Sequence, residues 1–230
     1  MPADIPVLFV HGFTSSFDRG WRQAGWADLV ADSGRPVLGV DLLGHGDAPK
    51  PHDPLAYADV GARVLEAMED HEVVDGVGFS AGAGVLLDLA VAHPARFRRL
   101  ALLGMGAGYF RTDVPEPLAL ALEGKVESVG HPMGQAFVRF ANSPGQDPLA
   151  LAAFLRRPLP DRSPERLATV TGPVLIVLGE RDGNGPAEPL ASALSNASVT
   201  VKELRGVDHL GTPTDFGCID ATLSFLEDGA

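Results

Sequence analysis

Short apolar runs alternate along the chain with longer stretches that carry their apolar residues on one side only. The runs fall at residues 7–10, 37–41, 73–79, 100–103, 174–179 and 198–203, and most are near-continuous Val, Leu, Ile and Phe. A strand buried on both faces has this pattern, whereas a half-exposed strand alternates apolar and polar positions. Between the runs, residues 21–33, 55–70, 81–92, 186–194 and 213–227 fit helices. In the second of these, Val60, Val64 and Met68 recur at four-residue spacing and form one apolar stripe to lay on a sheet. His93-Pro94 closes the third, because proline cannot continue a helix and disfavours helical geometry just before it. The alternation predicts a doubly wound α/β fold: a mostly parallel sheet of about six strands, with helices on both faces.

Residues 108–171 interrupt that rhythm where a single crossover helix would suffice. The stretch is rich in Pro and Gly and carries apolar clusters at Leu118, Leu120 and Leu122, then at Phe137, Phe140, Leu151, Phe154 and Leu155. Two or three short helices fit it. A segment of this size holds a core of its own poorly, so it reads as a short helical lid inserted in one domain, whose α/β core is residues 1–107 and 172–230.

The sharpest chemical signal is Gly78-Phe79-Ser80-Ala81-Gly82, a G-x-S-x-G pentapeptide. With 27 glycines and 11 serines in the chain, chance alone supplies roughly 0.15 copies, so the motif needs its context. The context is present: an apolar run precedes it, and a helix with Val85, Leu86 and Leu89 follows. A strand-to-helix turn this tight strains its central residue and leaves no room for side chains two positions away. Two later run ends complete a set. Gly179-Glu180-Arg181-Asp182 places an acid just past the fifth run, and Gly206-Val207-Asp208-His209 places an imidazole just past the sixth. In a parallel sheet these loops share one edge, so residues about a hundred positions apart can meet there.

These motifs resemble the α/β-hydrolase superfamily over nearly the whole chain. His11-Gly12-Phe13 is similar to its oxyanion loop, and Asp41-Leu42-Leu43-Gly44-His45-Gly46 to its D-x-x-G-x-G turn. Only six residues precede the first run, so the family's N-terminal hairpin is expected to be missing. The resemblance implies Ser80 as nucleophile, His209 as general base and Asp182 as its orienting acid. It also implies an oxyanion hole from the backbone N–H groups of Phe13 and Ala81. The activities it implies are those of small esterases and enol-lactonases, acting on an ester, lactone or thioester with no metal or organic cofactor. Carbon–carbon bond hydrolysis or a lyase reaction can use the same triad, and a binding or signalling homologue with weak turnover is a rival class. Asp113 is an alternative acid. His11 and His45 are expected to brace their turns, and Trp21 and Trp26 to anchor the first helix. Phe137, Phe140 and Phe154 are expected to form the lid's core.

Composition narrows the partners. A formal net charge of −12 repels nucleic acid and anionic membranes, and Arg96, Arg98 and Arg99 read as a solvated face. The single cysteine, Cys218, excludes an intramolecular disulfide. No histidine spacing suggests zinc, and no signal peptide or membrane span is legible, so a cytoplasmic enzyme of a small-molecule substrate is expected. In the lid Arg111, Lys125, Arg139, Arg156 and Arg157 are dispersed, which favours an uncharged or singly charged acyl group of short to medium length.

Overall fold

A computed structural model describes residues 5–127 and 130–227. Six strands, β1 (Val7–Val10), β2 (Val37–Val40), β3 (Val74–Phe79), β4 (Phe97–Leu103), β5 (Val174–Gly179) and β6 (Val199–Leu204), pair in parallel in the order β2-β1-β3-β4-β5-β6. The helices are α1 (Trp26–Asp32), α2 (Ala62–Ala67), α3 (Ala81–Ala92), α4 (Glu116–Leu122), α5 (Pro132–Ala141), α6 (Pro148–Leu155), α7 (Pro164–Leu167), α8 (Glu188–Ala193) and α9 (Phe216–Glu227). Successive strand residues point to opposite faces, and β1 shows the consequence. Leu8 and Val10 join a core with Val64, Leu86 and Leu190, from α2, α3 and α8. Val7 and Phe9 join the opposite core with Trp26, Val30 and Cys218, from α1 and α9. Both faces are therefore covered, as the continuous apolar runs require.

Strand order reverses between β1 and β3, which are neighbours in register (Val10 opposite Gly78). The crevice beyond the carboxyl ends of strands at such a switch point is where open α/β sheets bind ligands. No helix among the described residues is long and apolar enough to cross a membrane.

Three expectations need correction. The helix expected at 21–33 is split: a π-helical turn spans Asp18–Arg22, and Gly25, at φ 82°, takes a left-handed conformation before α1 begins. The helix expected at 55–70 is likewise a 3-10 turn, Pro54–Tyr57, capped by the Asp53 carboxylate, followed by the short α2. The third concerns the arginines, which form no solvated face. Arg98 and Arg35 both bind the fully buried Asp75 of β3, at 2.5–2.8 Å and 2.6 Å. Arg99 is buried over the Phe225 ring, and Arg96 donates to the carbonyls of Met68, His71 and Glu72. Residues 40 apart in sequence make the Arg35–Asp75 pair, which local composition does not reveal.

Between β4 and β5, a 3-10 turn (Ala107–Phe110) and α4 to α6 pack over the carboxyl edge of the sheet, and α7 then lies beside α8. Leu118, Ala119 and Leu122 of α4 meet Ala141 of α5 and Leu151 and Ala152 of α6. Arg156 ties the end of α6 to Glu116 and Glu123 with four contacts of 2.6–3.2 Å. Phe154 leaves this cluster for the main core, and Phe140 is exposed, so only Phe137 of the three phenylalanines packs against the apolar centre of α4 to α6.

Candidate active site

The turn from β3 into α3 places Ser80 at φ 53° and ψ −114°, a backbone region that a non-glycine residue rarely occupies. The flanking glycines hold it there by sheer lack of space. A Cβ on Gly78 would lie 2.7 Å from the Ala83 nitrogen, and one on Gly82 only 2.3 Å from the Val10 carbonyl oxygen. The close approach of Gly82 to the end of β1 also brings the His11-Gly12-Phe13 loop beside Ser80. The Ser80 N–H donates to the Leu103 carbonyl at 2.8 Å, which fixes the turn against β4.

His209 and Asp182 arrive from the far side of the sheet. The Ser80 hydroxyl lies 2.8 Å from Nε2 of His209, and Nδ1 of His209 lies 2.8 Å from Oδ2 of Asp182. All three side chains are buried. With the carboxylate as acceptor, Nδ1 carries the proton and Nε2 accepts from the hydroxyl. The other oxygen of Asp182 accepts from the Asn184 N–H at 2.8 Å, and the Asn184 side chain donates to the Gly104 carbonyl at 3.1 Å. The carboxylate is thus held from two sides. Phe79 stacks on the His209 ring, with centroids 4.9 Å apart, and so fixes its plane. A hydroxyl aimed at a neutral imidazole, itself held by a carboxylate, can lose its proton as it attacks an electrophilic carbon.

The N–H groups of Phe13 and Ala81 donate to no acceptor among the described residues. Both residues border the space in front of Ser80. Asp113 is exposed in the segment before α4, and Asp208 caps its own loop through the Gly211 N–H at 2.9 Å. Neither is hydrogen-bonded to His209.

Two buried histidines brace the loops. His11 accepts from the Leu42 N–H at 3.1 Å and bonds the Gly12 carbonyl at 2.8 Å, linking the ends of β1 and β2. Burial lowers its pKa below the usual 6.5, and that of His45 well below, so both rings are neutral. His45 packs edge-on against Phe154, with centroids 4.8 Å apart, and its Nε2 has no partner among the described residues.

Two cavities meet at Ser80. The larger, about 810 Å³, runs beneath α4 to α6 and is bordered by Met105, Leu118, Met133 and Leu155. The smaller, about 200 Å³, is bordered by Trp21, Phe140, Leu210 and Pro213. Phe13, Ser80, Phe137 and His209 belong to both. Trp21 therefore does more than anchor a helix, and its buried Nε1 has no acceptor among the described residues. Folding also gathers cations that looked dispersed: Arg111 and Arg157 border the larger cavity together with Arg181. Asn184, Phe79 and Arg157 are not legible as site residues in the sequence, because their places beside Asp182, His209 and the larger cavity are set by packing.

Among the described residues no cluster of His, Cys, Asp and Glu could hold a metal ion. Comparison with known proteins agrees with the architecture. The chain is 36% identical over 108 residues to a 2-hydroxymuconate semialdehyde hydrolase of Pseudomonas sp. (strain CF600), a match covering 44% of this chain and 37% of the relative. It is 42% identical over 94 residues to a pimeloyl-[acyl-carrier protein] methyl ester esterase of Neisseria meningitidis serogroup B / serotype 15 (strain H44/76), covering 40% and 34%. The matched stretches thus span about a third of these curated relatives. Among solved structures, a marine microorganism esterase superposes with a TM-score of 0.70 at 16% identity, covering 96% of this chain and 95% of that one. A 2-hydroxy-6-oxo-6-phenylhexa-2,4-dienoate hydrolase from Rhodococcus sp. strain RHA1 gives 0.68 at 22%, covering 99% and 91%. At such identities these two establish the fold alone. The family model of the alpha/beta hydrolase fold matches residues 5–124, more than half of the chain, and with the parallel sheet and the strained serine turn this makes the chain a member of the α/β-hydrolase fold family.

Proposed function

We propose that the protein hydrolyses a small carboxylic ester, lactone or thioester through an acyl-Ser80 intermediate. The observation that carries this reading is the unbroken chain of 2.8 Å hydrogen bonds from Ser80 through His209 to Asp182, opening on two cavities. His209 takes the Ser80 proton as Oγ bonds to the substrate's carbonyl carbon, and Asp182 stabilises the imidazolium that forms. The negative charge that develops on the carbonyl oxygen is met by the N–H groups of Phe13 and Ala81, whose donors are otherwise unused. His209 then passes its proton to the leaving oxygen or sulfur. Water, deprotonated by the same imidazole, splits the acyl-serine to release the acid and restore Ser80.

In this reading residues 108–171 act as the lid, and the cavity beneath it takes the larger part of the substrate. The net charge of −12 supports a small molecule over nucleic acid as partner. A second reading, hydrolysis of a carbon–carbon bond next to a ketone, is favoured by the likeness to 2-hydroxymuconate semialdehyde hydrolase.

The test is release of p-nitrophenol from esters of two to eight carbons. Repeated turnover, reduced on the order of 10³-fold or more in Ser80→Ala, supports the hydrolase. One stoichiometric burst without turnover would favour the binding or signalling alternative. Inert esters alongside turnover of a vinylogous 1,5-diketone would favour the carbon–carbon reading.

A further inference from the structure

The larger cavity holds an arginine with no anion of its own. Arg157, just past α6, lies over the Phe154 ring at 3.9 Å and spends one N–H on the Phe154 carbonyl at 2.8 Å. The residue is half-buried, borders the cavity, and forms no ion pair among the described residues. The acid on the neighbouring face of α3, Asp88, is already taken. Arg162 binds it at 2.6 and 3.0 Å, and the Tyr109 hydroxyl donates to it at 2.9 Å. Arg156, the adjacent residue in sequence, is consumed by Glu116 and Glu123.

The rest of the cavity wall has the same imbalance. Arg111 and Arg181 stand exposed at its rim and donate to the carbonyls of Gly183 and Gly206 rather than to carboxylates. Among the described residues the one carboxylate on the wall is Asp182, held by His209. In a chain with a net charge of −12, three arginines facing one acid is a local reversal of sign. Taking a charge out of water without a partner is costly, and burial lowers the Arg157 pKa from 12.5 to about 10. A bound anion would offset that cost, and the planar fork of a guanidinium matches a carboxylate through two parallel hydrogen bonds.

We propose that Arg157 is the recognition residue for a carboxylate carried by the substrate, on the part that enters the larger cavity, so that the natural substrate is a monoanionic acyl compound. This rests on the hydrolase reading for its reacting centre, but the anion site can be tested without turnover. The probes are the monoethyl and diethyl esters of straight-chain dicarboxylic acids of four to eight carbons, titrated calorimetrically into Ser80→Ala. Each pair differs by one negative charge and one ethyl group, and the Arg157 variants separate the effect of the charge from that of size. At neutral pH at least one monoethyl ester should bind about tenfold or more tighter than its diethyl counterpart. That preference should fall below about threefold in Ser80→Ala/Arg157→Gln and be partly kept in Ser80→Ala/Arg157→Lys. Melting curves of both double variants establish that they fold.

Equal binding of the paired esters, or a preference that survives Arg157→Gln, would overturn the proposal. The two readings fail separately. If the Ser80 protein hydrolyses the diethyl esters but no preference exists, the anion site is wrong and the hydrolase stands. If the preference exists but no ester is cleaved, the anion site stands and the ester-hydrolase reading is wrong.

Discussion

Removing the charge of Asp75 should cost the protein much of its stability and none of its chemistry. Asp75 is fully buried and accepts three charge-assisted hydrogen bonds, one from Arg35 at 2.6 Å and two from Arg98 at 2.8 and 2.5 Å. The Asp75→Asn side chain has nearly the same shape, but it turns one acceptor into a donor that faces a guanidinium. Both arginines then keep their charge with only a neutral amide between them, and breaking a buried ion pair from one side costs about 3–5 kcal/mol. Unfolding entropy is about 2.1 cal/mol/K per residue. Over 230 residues that is about 0.5 kcal/mol/K, so the expected fall in Tm is roughly 6–10 °C. Ser80 lies five residues further along an extended strand, roughly 16 Å away at about 3.3 Å per residue. Ester turnover per folded molecule should therefore stay within about twofold of wild type, since nothing at the serine turn has moved. Urea unfolding followed by circular dichroism gives the free energy, and p-nitrophenyl ester turnover below the transition gives the activity. A loss under about 1 kcal/mol would show that the two arginines are already solvated, and a parallel loss of turnover would show that the two ends of β3 are coupled.

Two further outcomes follow from the same geometry. Burial lowers the pKa of His11 and His45 below 6.5, so the unfolded chain binds protons there that the folded chain refuses. Their stabilisation is complete above about pH 6.5 and is lost as pH falls below it, at up to about 1.4 kcal/mol per pH unit for each. Urea midpoints measured from pH 7.5 to 5 should show that slope, reduced by about one proton in His45→Gln; an unchanged slope would mean that His45 titrates alike in both states. Gly82→Ala places a methyl group 2.3 Å from the Val10 carbonyl oxygen and 2.5 Å from that of His11. It should destabilise by about 1–3 kcal/mol and, by shifting the loop that carries Phe13, cut kcat/KM by about 10² or more. Unimpaired kcat/KM in that variant would show that the spacing of β1 and α3 does not set the site.

The strands were the most legible part of the fold, because burial on both faces demands continuous apolar runs and little else in the chain supplies them. The element ends were less so. Gly25 and the end of the 3-10 turn at Tyr57 each break what periodicity reads as one helix, and apolar spacing is blind to a left-handed residue or a short 3-10 turn. Ser80, Asp182 and His209 could be picked out because each closes a strand on the same edge of the sheet, a consequence of parallel pairing rather than of nearness in sequence. What lies around them was not legible. The arginines of β4 looked solvated because the acid that Arg98 binds, Asp75, lies 23 residues away. Arg111 and Arg157 looked dispersed because only the packing of α4 and α6 brings them to one cavity. Sequence order reveals a reacting centre built at strand ends, but a pocket made by helices folding back is a property of packing.

The proposed mechanism stands or falls on Ser80 as the nucleophile, activated by His209. Reaction with a fluorophosphonate is the direct test, because the reagent phosphonylates an activated serine irreversibly, with loss of fluoride, and the position of the adduct can be read by peptide mass spectrometry. One stoichiometric adduct is expected, on the peptide containing Ser80, absent in Ser80→Ala and formed about 10²–10⁴-fold more slowly in His209→Ala. An adduct on any other residue, or modification of Ser80→Ala at the wild-type rate, would contradict it.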